Sequence, residues 1–134
     1  MKHHVIEFAP PAEGLDGVLP FNTFRIGKVW AARVNDGDTV YLMDKKKMLI
    51  FGRATVGAVF TGGLHELAET HAVFNHNQID NPDVENAPAR LIANMQKRYG
   101  PHIAHNNKLT TVIYLRRIHD ETEHPDYATR RLDC

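Results

Sequence analysis

Serine is absent from this chain, and cysteine occurs once, as Cys134. Without serine there is no serine-based acyl transfer. A single thiol leaves no internal disulfide, fits a reducing compartment and is a poor candidate for a catalytic nucleophile. Net charge is missing too: 16 Lys and Arg face 16 Asp and Glu. No global field therefore draws the chain onto a polyanion, and any contact with nucleic acid must come from a local patch. No apolar run approaches the roughly 18 residues of a membrane span, and the opening residues lack the apolar core of a secretory leader. With 134 residues, 43% of them hydrophobic and 24% charged, the expectation is one globular domain with a real core, in the cytoplasm. Nine histidines make the charge soft, turning cationic below about pH 6.5.

The pattern of elements follows from local chemistry. Val5 to Phe8 reads as a short strand, and residues 9 to 20, rich in proline and glycine, as an irregular arm. Residues 23 to 32 fit either a helical turn followed by a strand or two short strands. Asn35, Asp36, Gly37 and Asp38 form a strong turn signal, because these residues tolerate positive φ. Thr39 to Met43 should pair as a hairpin with a long strand over 48 to 60, the turn carrying Lys45, Lys46 and Lys47. Gly52 and Gly57 inside that strand are expected to be bulges that curve a sheet toward a barrel, and Thr61, Gly62 and Gly63 to stop it. Leu64, Leu67, Ala68 and His71 fall at helical spacing. Residues 75 to 82 read as polar loop, and Pro88 to Tyr99 as a helix ended by Gly100 and Pro101. Leu109 to Leu115 is a strand, and the polar tail from Asp120 is peripheral. The order predicts an α+β fold, a small mixed β-barrel with helices packed at its side.

Information is densest between residues 21 and 42. This stretch holds Trp30, the sole tryptophan, and three cations at short spacing, Arg25, Lys28 and Arg33. Guanidinium groups grip phosphate or a base edge with a forked pair of donors, and a lysine adds a point charge. The bland alternative is three solvated cations. Trp30 offers a ring for a base to stack on, or simply a core residue. The lysines of the hairpin tip suit either a phosphate contact or a charged guard against edge pairing. Asn75, His76, Asn77 and Gln78 are dense in groups that read base edges.

Gly27 and Lys28 with Arg33, Gly37 and Asp38 leading into Thr39 to Leu42, a helix running from Leu64 to His71 and Ala72, and a strand over Thr111 to Leu115 occur in one order. In that order they resemble the ASCH domain family, a branch of the PUA-like β-barrels. The resemblance spans roughly residues 21 to 118, leaving residues 1 to 20 as an N-terminal strand and arm and 119 to 134 as a tail. It implies binding of RNA or of a modified nucleoside or nucleotide, with Lys28 and Arg33 as the grip and the loop near Asn75 reading the ligand. In the amidohydrolase members of the family the site uses a lysine, a threonine shortly after it and a glutamate after the helix. Here Ala31 and Asn75 fall at the latter two positions. Alanine offers no proton, and an amide is no general base.

The expectation is therefore an RNA-binding or modified-nucleotide-binding protein with a basic cleft formed by Arg25, Lys28, Trp30, Arg33, Asn75 and His76. The alternative is a small hydrolase acting on an N4-acylated cytidine or on RNA, with Lys28 as its catalytic group and His71 or His76 as acid or base. A third reading, a protein-interaction module, would show an apolar surface patch instead. No cofactor or metal is expected: the pairs His71 with His76 and His102 with His105 lack a third ligand at motif spacing.

Overall fold

The computed structural model describes residues 4–9, 15 and 19–119; most of the N-terminal arm and the tail from Asp120 lie outside them. Five strands form one sheet: β1 (His4–Phe8), β2 (Phe21–Ile26), β3 (Thr39–Asp44), β4 (Leu49–Gly63) and β5 (Leu109–Arg117). Three helices accompany them, α1 (Val29–Arg33), α2 (Leu64–His71) and α3 (Ala87–Tyr99), and a short 3₁₀ turn over Ala72–Phe74 extends α2. The strands lie in the order β1-β3-β4-β5-β2. β1 runs parallel to β3 and every other pairing is antiparallel. The class is mixed α+β, a five-strand half-barrel with helices packed beside it.

Period-two burial explains the sheet. Ile6 and Phe8, Val40 and Leu42, and Ala54 and Val56 alternate with more exposed neighbours and meet in one cluster with Ile113, Leu115, Phe21, Leu15 and Val34. The other face carries Phe24 and Val112, which join Leu64, Leu67 and Ala68 of α2 and Ala87, Leu91 and Met95 of α3. Strand side chains thus fill the inner face, and two amphipathic helices cover the outer one.

The curvature comes from β4. Leu42 pairs with Gly52 but Met43 pairs with Ile50, so Phe51 is an extra residue at that point. Val56 pairs with Leu115 and Val59 with Ile113, a second register shift around Gly57. Both expected bulges are present, and each bends the strand. At the first, the space a Cβ would take at Gly52 is already filled: Arg117 Cζ would stand 2.7 Å from it. Arg117 lies across this point over the Phe51 ring, 5.7 Å away, and its Nη1 donates to the Leu15 carbonyl at 3.0 Å. Gly52→Ala is expected to displace the guanidinium and cost about 1–3 kcal/mol, measured by urea unfolding; an unchanged midpoint would mean that Arg117 gives way freely.

Two readings of the sequence need correction. Thr61, Gly62 and Gly63 do not end β4; they pair with Thr111, Thr110 and Leu109. Residues 21 to 33 are a strand and then a helix, neither of the two alternatives expected. The alternation that would mark β2 is missing because Phe21, Asn22, Thr23 and Phe24 are all buried, between the inner core on one side and the helices on the other. Gly27 ends the strand at φ 85°, where its N–H donates to the Leu109 carbonyl at 2.8 Å. Thr111 Oγ1 donates to the Gly27 carbonyl at 2.7 Å. A residue with a Cβ would be strained there.

Candidate functional site

A barrel needs its first and last strands to meet, and here no strand pairing joins the outer strands β1 and β2 among the described residues. The sheet nonetheless curls enough to bring them close: the Arg25 guanidinium on β2 sits 5.0 Å above the Phe8 ring on β1. A cleft of about 570 Å³, the solvent at its mouth included, opens at this seam. Glu7 and Phe8 of β1, Thr23 and Arg25 of β2, the 75–77 segment and the last two turns of α3 line it.

Each wall has a local cause. The 75–77 segment is stitched to the edge of β2 as an isolated parallel bridge between Asn22 and Asn75. The His76 N–H donates to the Asn22 carbonyl at 3.1 Å, and Asn75 Nδ2 reaches the same oxygen at 3.4 Å. The Asn22 side chain in turn donates to the His71 carbonyl at 2.8 Å and so holds the end of α2. His76 is wedged edge-on between Phe8 (5.0 Å) and Phe21 (6.4 Å). Two groups expected to read a ligand are therefore occupied in holding the loop. Asn75 Oδ1 accepts from the Asn77 N–H at 3.0 Å, and Gln78 Oε1 accepts from Arg90 Nε at 2.7 Å. Asn77 Oδ1 is different: it is buried and has no partner among the described residues.

Arg25 is the dominant charge. Its Nε donates to Thr23 Oγ1 at 3.1 Å, and among the described residues no carboxylate forms an ion pair with it. Burial is the main cause of a pKa lowered to about 10; Tyr99 and Glu7 oppose the lowering and the nearby Arg98 adds to it. It stays protonated at neutral pH, a half-desolvated cation whose guanidinium lies over an aromatic face.

The structure divides the sequence-predicted residues between two places. Arg25, Asn75 and His76 share the seam cleft. Lys28 and Arg33 flank α1 and line a shallow, mostly apolar groove with Val29, Ala31, Ala32, Thr61 and Leu109. Trp30 is half-buried against the inner core, edge-on to His4 at 6.0 Å and beneath the Arg33 guanidinium at 5.2 Å. Lys28 and Asn75 do not meet. Arg98, Tyr99, Asn94 and Glu7 are cleft residues to which the sequence reading gave no part in the site. Arg98 and Lys97 read there only as basic residues suited to a helix C-terminus, and no local pattern links that helix end to β2.

His71 lies outside the cleft lining. Its Nδ1 is 2.7 Å from the Tyr114 hydroxyl, and its ring stacks on the half-exposed Phe60 at 4.6 Å. Burial lowers its pKa and raises that of Tyr114. The folded protein thus resists protonating His71, while the unfolded chain takes up that proton near pH 6.5. This contribution is complete above pH 6.5 and is lost as the pH falls below it. Urea unfolding at pH 7.5 and 5.5 is expected to show a smaller acid loss of stability in His71→Phe than in wild type; equal losses would place the acid sensitivity on other groups.

Fold and cleft together define a small α+β half-barrel with a cationic, amide-lined cleft at its open seam. No family model matches the sequence, and no curated protein matches it. Among solved structures, the Enterococcus faecalis V583 protein EF3133, from the DUF984 family, aligns with a TM-score of 0.49 at 8% identity. The alignment covers 73% of this chain and 60% of that one.

Proposed function

We propose that this chain is an ASCH-like protein that binds RNA or a modified nucleotide in the seam cleft. The observation that carries this reading is Arg25: a half-desolvated, protonated guanidinium without a carboxylate partner among the described residues, lining the seam cleft. Leaving such a charge without a counter-ion is costly, and an anionic ligand relieves the cost. Asn77 and Asn94 supply amides for a base or ribose, and Tyr99 supplies a ring.

Within this reading the resemblance keeps its ordered elements but shifts its grip, because Lys28 and Arg33 line the α1 groove instead. Titrating the protein with tRNA, single-stranded oligonucleotides, nucleotides and nucleosides tests both placements. Binding lost in Arg25→Met and kept in Lys28→Ala supports the seam cleft. The reverse outcome moves the site to α1, and no binding by any of these ligands rejects the reading.

A further inference from the structure

The character of the cleft allows its ligand to be narrowed, on the assumption that the nucleotide-binding reading above holds. Two guanidiniums converge here from distant parts of the chain, Arg25 on β2 and Arg98 in the last turn of α3. They are close enough for Arg98 to disfavour the charge on Arg25. Among the described residues neither forms an ion pair; Glu7, exposed on the rim, is the acid in the lining. Two like charges lining one cleft, neither ion-paired among the described residues, describe an anion subsite. Arg25 is fixed at depth by Thr23 and Phe8, while Arg98 is exposed at the mouth and free to swing onto a bound group.

The kind of anion follows from charge and acceptor count. A phosphodiester inside a strand carries one charge and two free oxygens. A phosphomonoester carries nearly two charges at neutral pH and three acceptor oxygens, enough for two forked donors on one group. Beside the cations, the exposed Asn94 lines the same cleft and offers its amide to a ribose hydroxyl or a nucleobase edge.

We infer that the seam cleft holds a single nucleotide by its terminal phosphomonoester, bridged between Arg25 and Arg98, with the Asn94 amide hydrogen-bonding the nucleoside part. The ligand is a mononucleotide or the phosphorylated end of an RNA, and the interior of a strand is excluded.

Isothermal titration of the full chain with cytidine and adenosine monophosphates (5′ and 3′), the two nucleosides and inorganic phosphate tests this. A short oligonucleotide with and without a 5′-phosphate, and with a 3′-phosphate, completes the set. Phosphorylated forms are expected to bind at least about tenfold more tightly than their unphosphorylated counterparts. Arg98→Ala should cut that preference to about threefold or less without changing nucleoside affinity. Asn94→Leu should weaken nucleotide binding and leave phosphate binding unchanged. Arg98 and Asn94 are exposed, so their loss should not compromise folding, and an unchanged thermal midpoint checks this. Nucleosides binding as tightly as monophosphates, a phosphate preference that survives Arg98→Ala, or an Asn94→Leu variant that binds nucleotides as wild type does would each overturn the inference while leaving nucleotide binding in place. Absence of binding by every ligand would remove both.

Discussion

Arg25→Met is expected to weaken ligand binding by about 2–4 kcal/mol, the usual loss when one partner of a desolvated charged pair is removed. This corresponds to roughly 30- to 700-fold in affinity. Methionine keeps an unbranched apolar side chain and removes the charge, its place over the Phe8 ring and the Nε bond to Thr23. The free protein should lose little stability, because the half-desolvated cation costs energy before a ligand arrives. Binding and folding are thereby separated: the titration should collapse while the urea midpoint stays within about 1 kcal/mol of wild type. Affinity retained within a factor of about three would show that the guanidinium does not face the ligand. Lys28→Ala is the matched control, since Lys28 is exposed and lies on the α1 groove.

Phe21→Ala is expected to have the largest effect on stability, about 3–5 kcal/mol from a total of roughly 5–15 kcal/mol for a domain of ordinary stability. Phe21 is fully buried and pairs with Leu115 in the register of β2 and β5. Its ring packs in the inner cluster and against the His76 imidazole. Removing it opens a void beneath the seam, where outer strands that are not hydrogen-bonded to each other cannot collapse to fill it. Urea unfolding followed by circular dichroism measures the loss; a change below about 1 kcal/mol would mean that the inner face is not a filled core. The ligand affinity of any folded fraction should fall too, because His76 loses one of its two ring supports.

The elements that were readable from the sequence are those whose periodicity is set by one environment. α3 was legible because Leu91 and Met95 face α2 and the sheet, while Ala93, Asn94 and Lys97 are exposed and Gly100 ends the helix at φ 90°. β4 was legible from β-branched residues, and its bulges from glycines. β2 was not, because four consecutive residues are buried against two different cores. The buried pair Asn22 and Thr23 looks like an ordinary polar interruption until Asn22 is seen joining His71, Asn75 and His76 to the sheet.

The candidate site divides in the same way. Arg25, Asn75 and His76 were visible as chemistry worth having near a ligand, and the structure brings these three together. Arg98 carried no such mark, and Lys28 and Arg33 carried a stronger one than their location in the α1 groove reflects. By itself the sequence determined the α+β class, the hairpin with its lysine turn, the curvature of the long strand and the amphipathic helices. These are consequences of side-chain size and backbone freedom acting over a few residues. Only the tertiary structure decided which strands lie at the edges of the sheet. That choice leaves β1 and β2 facing each other across an open seam and brings the end of α3 to its mouth. Strand order depends on contacts between residues far apart in the chain, and no local period records it.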